Sequence, residues 1–513
     1  MTRAIAFAAL TLLLLRGIAG AQEFAPVEAV EFRGNTELDA ETLRRAADIP
    51  VGDPLDPGRI TEAIRRIEEA YIRAGYLGNV TLYEIEQAPR VLVFRIAETK
   101  ISEVRINGLE RTREESIRRL IETEVGQVYN NRIVQEDIAR LYSTGIFEDV
   151  RVNLEQAGAN EAIVTFQFQE AKTQRGDVSG SYSPEGRLVL QLQYTNANLF
   201  GRLQQLTAAV NVGTLGGRVG GNVTYFNPIV GEPGRTLLAR AFSDINFRFG
   251  QDLTTDPDTG LYSERRTGVS STYALPAGRR ERMAYGFRYE NVNLRNLPLD
   301  LFTDPTGEDA WIVAPNARYI RDRRLTLRIP ASGTYLSAFA EPAFVGFDSG
   351  ENDAVGKLSG EWRRYIPIEP IPTASLASQD PLPVRNVAVR LSAGTSFGDL
   401  PFFEQYFLGG ITDLRGYRYS RFWGRHFFVL NTELRWPLSE RWIGVAFVDV
   451  GDAWGSDYRF DPGVESFFGQ HEDFAPRSGA GAGIWYLSEF GTLRLEYARG
   501  EANLLQFAVG ESF

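Results

Sequence analysis

"RLVLQLQYT", residues 187–195, sets Leu188, Leu190, Leu192 and Tyr194 on one side and Gln191, Gln193 and Thr195 on the other. A repeat of two residues is the mark of a strand with unlike surroundings on its two faces. Near the carboxy end "TLRLEYARG", residues 492–500, does the same, with Leu493, Leu495 and Tyr497 opposed to Arg494 and Glu496. From about Lys172 onward, segments of roughly ten residues alternate in this way between turn residues. Apolar side chains facing lipid and polar ones facing an enclosed lumen produce this pattern in a membrane barrel. About 340 residues, at roughly 20 per strand and connection, allow about 16 antiparallel strands. The expected fold over residues 173–513 is therefore an all-β transmembrane barrel. A soluble sandwich also alternates, but it does not need so many strands in series.

Composition narrows the possible chemistry. The 513 residues carry a net charge of -11, against the basic excess of a nucleic-acid binder. Zero Cys rules out a disulfide framework, Cys-ligated zinc and thiol catalysis. His426 and His471 are the only imidazoles, so histidine metal sites and Ser-His-Asp catalysis have little to build on. No enzyme, cofactor or metal is expected. "VGTLGGRVGGN", residues 212–222, lacks a P-loop lysine and sits among strands, so it reads as a hairpin.

The amino terminus reads as a secretory signal over residues 1–21. Arg3 gives the charge, Ala4 to Leu15 the apolar run, and Ala19-Gly20-Ala21 the small-residue cleavage pattern. That run is too short to span a membrane as a helix, and no later segment reaches ~18 uninterrupted apolar residues. An exported chain of this kind enters a membrane only as a barrel.

Residues 26–172 hold an internal repeat. "VEAVEFRGNTELDAETLRRAADIPVGDPLD" (27–56) is echoed by "ISEVRINGLERTREESIRRLIETEVGQVYN" (101–130), with Gly34 matching Gly108 and Val51-Gly52 matching Val125-Gly126. Each copy reads strand, helix, helix, strand, strand, giving modules at 26–98 and 99–172. Val30 and Phe32 share a strand face, and Ile60, Ile64, Ile67 and Tyr71 recur at three and four as one helical stripe. Gly75 and Gly145 fall where the second helices end. Small tandem domains of this type present strand edges that can accept another chain's strand.

"GGITDLRGYRYSRFWG", residues 409–424, has too much glycine for a helix and too many arginines for a core strand. Two acidic residues further on take inward positions by parity. In "HFFVLNTELRW" the outward set is Phe428, Leu430, Leu434 and Trp436, which turns Glu433 to the lumen. In "IGVAFVDVG" the lipid face takes Ala446, Val448 and Val450, which turns Asp449 inward. The chain closes on "LLQFAVGESF", with Leu505, Phe507, Val509 and Phe513 expected on one face, and a last strand that must pair with the first to close the sheet.

Two such modules ahead of a barrel resemble the polypeptide-transport-associated (POTRA) domains and surface-antigen barrel of the BamA/TamA-type outer-membrane assembly and translocation family. "NLFG" (198–201) and "YFNP" (225–228) look like its early barrel turns. "FVDVG" resembles one of its strand motifs, and "LQFAVGESF" is similar to its terminal strand. The resemblance makes Phe507, Val509, Gly510 and Phe513 a carboxy-terminal assembly signal. Leu414, Arg415, Gly416 and Tyr417 look like the family's Arg-Gly-aromatic motif at the tip of the sixth extracellular loop. It implies that this loop folds into the barrel and that Arg415 meets acidic residues there, with Asp449 and Glu433 as candidates.

Three functions compete. The first is an assembly factor that holds unfolded β-rich clients on periplasmic modules and inserts them into the outer membrane through a seam between first and last strands. Its partners would be unfolded outer-membrane or secreted polypeptides, outer-membrane lipid, and periplasmic chaperones or accessory subunits. The second is a two-partner secretion transporter exporting a large β-helical protein through the lumen. Two modules suit it, but such transporters usually begin with a plugging helix, and only "QEFA" (22–25) precedes Pro26. The third is a passive porin or adhesin, which leaves the modules without a role. The first is the expectation.

Overall fold

The structure, a computed structural model, describes residues 26–54, 56–183, 187–213, 219–232, 234–247, 263–295, 309–326, 329–371, 383–458, 473–488, 491–510 and 513. The signal segment, "QEFA", most of "VGTLGGRVGGN" between its ends, and His471 lie outside these. The chain divides into two compact units after Ala171.

The first unit contains two copies of one small fold. Strand β1 (Ala29–Arg33) is followed by helices α1 (Ala40–Ala47) and α2 (Pro57–Arg73) and strands β2 (Gly78–Gln87) and β3 (Arg90–Glu98). The second copy is β4 (Lys100–Asn107), α3 (Glu114–Arg118), α4 (Asn131–Ser143), β5 (Phe147–Gly158) and β6 (Glu161–Glu170). In both, the third strand lies in the middle, parallel to the first and antiparallel to the second. Asp39 and Asp56 cap α1 and α2 by accepting the amides of Thr42 (2.7 Å) and Arg59 (2.9 Å). The stripe read from sequence is the core: Ile60, Ile67 and Tyr71 are buried against Leu92, Phe94 and Ile96, with Ile64 and Phe32 packed alongside.

Each copy also pins its first loop with a glutamate at the end of its third strand. Glu98 accepts the amides of Thr36 (2.8 Å) and Glu37 (3.0 Å) and the hydroxyls of Tyr71 (2.8 Å) and Thr36. Glu170 accepts the amides of Glu110 (3.2 Å), Arg111 (3.0 Å) and Thr112 (2.8 Å). Burial opposes the charge on both carboxyls, but these donors outweigh it and hold them below the ordinary glutamate range. The loops approach closely because Gly34 and Gly108 have φ of 94° and 85°, and a Cβ on either would collide with the carbonyl of Ile96 or Phe168.

The second unit is a closed antiparallel barrel. Its first eight staves are β7 (Gln174–Ser183), β8 (Arg187–Leu199), β9 (Gln204–Gly213), β10 (Val219–Asn227), β11 (Thr236–Phe247), β12 (Ser263–Gly278), β13 (Glu281–Arg295) and β14 (Ala310–Asp322). After the two-residue β15 (Leu325–Thr326) come β16 (Pro330–Phe347), β17 (Asn352–Pro367) and β18 (Asn386–Phe397). A loop carrying the short pair β19 (Tyr406–Leu408) and β20 (Phe422–Gly424) leads to β21 (His426–Pro437), β22 (Trp442–Trp454), β23 (Arg477–Ser488), β24 (Gly491–Arg499) and β25 (Asn503–Val509). The long strands make the 16-strand sheet expected from the period-two pattern, counted among the described residues.

The faces follow the parity of the sequence. Leu190, Leu192, Tyr194, Leu495 and Tyr497 are exposed on the outside, as lipid-facing residues must be. Gln191, Gln193, Thr195 and Thr207 form a hydrogen-bonded row within the barrel, and Arg494 and Glu496 are buried. One expectation needs correction. Leu505, Phe507 and Val509 face outward, but Phe513 does not continue their face. The strand stops at Val509, Gly510 turns with φ 114°, and Phe513 is buried with Tyr365 and Ala388 beneath the Arg435 guanidinium, 5.1 Å from its ring. A positive φ ends the period-two alternation, and the aromatic ring then gains more from packing and a cation face than from lipid.

Two further features distinguish the barrel wall. Among the described residues, the closing contact between β25 and β7 is far sparser than that between any other neighbouring long strands. At the start of β16, Ile329 reaches into a buried cluster with Ile443, Val445, Phe447, Trp485 and Leu487 on β22 and β23. Asn386 fastens this segment by donating to the carbonyl of Pro330 (2.9 Å).

Candidate functional site: a loop held in the barrel lumen

The connection between β18 and β21 folds inward. Its tip is buried at Leu414, Arg415 and Tyr417. Gly416 has φ 88°, and a Cβ there would stand 2.6 Å from the amide nitrogen of Gly500, in the turn between β24 and β25. Only glycine fits a backbone so conformed and so closely approached.

Arg415, 2% exposed, meets three carboxylates from three strands. Asp449 on β22 is gripped at two points, Nε to Oδ2 and Nη2 to Oδ1, both 2.7 Å, and also accepts the Arg415 amide at 3.1 Å. Nη1 reaches Glu433 on β21 at 2.7 Å and Glu496 on β24 at 3.3 Å. The guanidinium lies over the Phe447 ring, 3.6 Å from its centroid. The fork matches the carboxylate geometry, and the ring covers the face that makes no hydrogen bonds. Asn431 braces the arrangement, donating to Asp449 (2.8 Å) and to the Asp413 carbonyl (2.6 Å). Tyr417 donates to the Ser478 carbonyl at 3.1 Å and packs on Phe422. The carboxylates are tied in turn: Arg435 pairs with Glu433 (2.6 Å), and Trp485 and Arg494 donate to Glu496 (2.8 and 3.3 Å).

Arg415, Asp449 and Glu433 thus stand together, while Phe507 and Val509 lie on the outer face and Phe513 on the inner one. The sequence reading did not single out Glu496 as a partner, although "TLRLEYARG" gave its inward parity. It also missed Glu404, in the three-residue 3-10 turn Phe402–Glu404 at the start of the loop. Glu404 is buried among Arg266, Arg288 and Lys357.

A wide barrel crossed by its own loop, and preceded by two β-α-α-β-β modules, defines an outer-membrane barrel of the POTRA-bearing class. The Omp85 superfamily domain matches residues 198–513, and the surface antigen variable number repeat, the POTRA unit, matches 25–99 and 99–171. The chain belongs to the Omp85 superfamily. It is 24% identical to the chloroplastic outer envelope protein 80 of Arabidopsis thaliana, over 94% of this chain and 66% of that one. It is 23% identical to the outer membrane protein assembly factor BamA of Nitratidesulfovibrio vulgaris, over 70% of this chain and 45% of that one. The chain therefore spans just under two thirds of the first relative and less than half of the second. Its fold is shared with BamA from Haemophilus ducreyi lacking POTRA domains 1-3, at TM-score 0.65 and 15% identity, covering 94% and 98% of the two chains. It is shared as well with CdiB from Escherichia coli, at TM-score 0.56 and 15% identity, covering 98% and 90%. The protein is an outer-membrane protein with its modules in the periplasm.

Proposed function

We propose that this protein inserts and folds β-rich clients in the outer membrane. Clients arrive unfolded on the edges of the periplasmic modules, add a strand there, and pass to the seam between β25 and β7. The observation that carries this reading is the contrast between seam and lumen. The lumen holds the Arg415 loop, the Ile329 segment and Phe513, while the closing strand pair is sparse. A strand edge with few partners offers unpaired N–H and C=O groups to an incoming strand. Burial of the client's apolar face in lipid drives insertion without a nucleotide. The Arg415 cluster keeps the loop inside between rounds.

The two-module layout and the likeness to CdiB suit a second reading, export of one secreted partner through the lumen. That route requires the loop and the Ile329 segment to leave. Cysteine pairs placed across β7 and β25 in this cysteine-free chain separate the two. Under oxidation, insertion of outer-membrane β-proteins should stop and return on reduction. Insertion that continues through a fully cross-linked seam would rule out the lateral route.

A further inference from the structure

We propose that Glu404 is a second anchor for the lumen loop, opposite in charge to Arg415 and seated on another arc of the wall. The whole loop then leaves only when both anchors give way. This deepens the reading above and rests on it, since it takes the inward loop as the resting state.

Glu404 is 3% exposed. Its Oε1 accepts from Arg266 on β12 at 2.7 Å, and its Oε2 accepts from Arg288 on β13 at 3.2 Å and from Lys357 on β17. Arg266 also donates to the Phe403 carbonyl. The wall carboxylates Glu290 and Glu341 pair with the two arginines, whereas Lys357 pairs with Glu404 among the described residues. Withdrawing the loop would take this contact from Lys357 and leave it only the longer-range attraction of Glu341, its cross-strand neighbour, so the wall favours the docked state. The carboxylates that hold Arg415 stand on β21, β22 and β24, a different arc.

The apolar packing is divided in the same way. Leu400 and Phe403, on the first limb of the loop, pack against Ile312, Val345 and Val355. Leu414, Tyr417 and Phe422, on the second limb, form another cluster with Val429 and Ala453, joined by Leu408 where the β19–β20 pair ties the limbs together. On either side of the β19–β20 pair, the loop therefore has a different apolar seat and a different ion cluster. Loss of Arg415 frees the tip of the loop beyond the β19–β20 pair and leaves the first limb in place. Glu404 is a positioning residue, and the pair makes release of the loop a two-step event.

The chain has no cysteine, so single reporters can be introduced at buried sites on either limb: Leu400→Cys on the first and Ser420→Cys on the second. Labelling with an impermeant maleimide is followed in intact cells. Glu404→Gln should raise labelling at position 400 by at least about tenfold and change position 420 by less than about twofold. Lys357→Gln should reproduce this, and Arg415→Ala should do the converse. The double variant should expose both sites by more than the singles combined. Heat-modifiable migration on gels should persist in all of them. Unchanged labelling at 400 in both Glu404→Gln and Lys357→Gln, with 420 exposed in Arg415→Ala, overturns the second anchor alone. Loss of the heat-modifiable form in both also overturns it, since Glu404 would then hold the barrel and not the loop. No exposure of 420 in Arg415→Ala overturns the resting-lock reading beneath it.

Discussion

At the scale of the residue, the site is one guanidinium shared among three acids from three strands. Arg415→Ala leaves Asp449 without its two-point partner in a place water barely reaches. Breaking a buried pair in this way costs about 3–5 kcal/mol. The tip of the loop should leave the lumen, and external protease should cut it in intact cells where the wild type resists. Arg415→Lys should rescue poorly, because an ammonium cannot span both oxygens of Asp449 while also reaching Glu433. Gly416→Ala separates charge from backbone. It keeps Arg415 but sets a Cβ against Gly500, so it should open the loop in the same protease assay. Much of this site was legible: the parity of two strands turns Glu433 and Asp449 inward. Glu496 has the same parity, but no local signal joins it to an arginine 81 residues away. Glu404 lies in "PFFEQYF", where aromatics crowd without a period, so neither its burial nor its partners could be read.

At the scale of the element, each module repeats one device, a terminal glutamate that ties down the loop after the first strand. Because Glu98 and Glu170 titrate below the ordinary range when folded, the stability they contribute is fully present above about pH 4.3, the unfolded value. It is lost as the pH falls through the lowered folded values. A fragment of residues 26–171 should therefore lose melting temperature on acidification below that point. The double variant Glu98→Gln/Glu170→Gln should start lower, by about 1–3 kcal/mol for each loop left with poorer acceptors, and should show a flatter acid limb. An identical acid limb in the two fragments would mean that other groups govern it. The repeat was visible in the sequence through Gly34 and Gly108, but the partner of those glycines was not. Ile96 and Phe168 sit in third strands some sixty residues later, and only the parallel pairing brings their carbonyls over.

At the scale of the whole molecule, the two modules carry separate sheets and the barrel closes on its own strands. Deleting residues 26–98 should leave the barrel heat-modifiable on gels and resistant to a carbonate wash of the membranes, while the levels of outer-membrane β-proteins fall. Loss of the heat-modifiable form would mean that the first module is needed for the barrel to fold.

The amino-acid sequence by itself determined the strands, their faces and the repeat. Those properties follow from a period of two or of three and four set against lipid, lumen or core, and that information lies within a few residues. It also determined that an arginine flanked by glycine and an aromatic needed a special place. Tertiary structure alone decided which buried charges meet, how sparse the closing pair is, and that Phe513 turns inward after Gly510. Each of these depends on strand register around the barrel and on the path of a loop that joins distant strands. Electrostatic partners in a shared lumen are chosen by proximity in space, which no local period records.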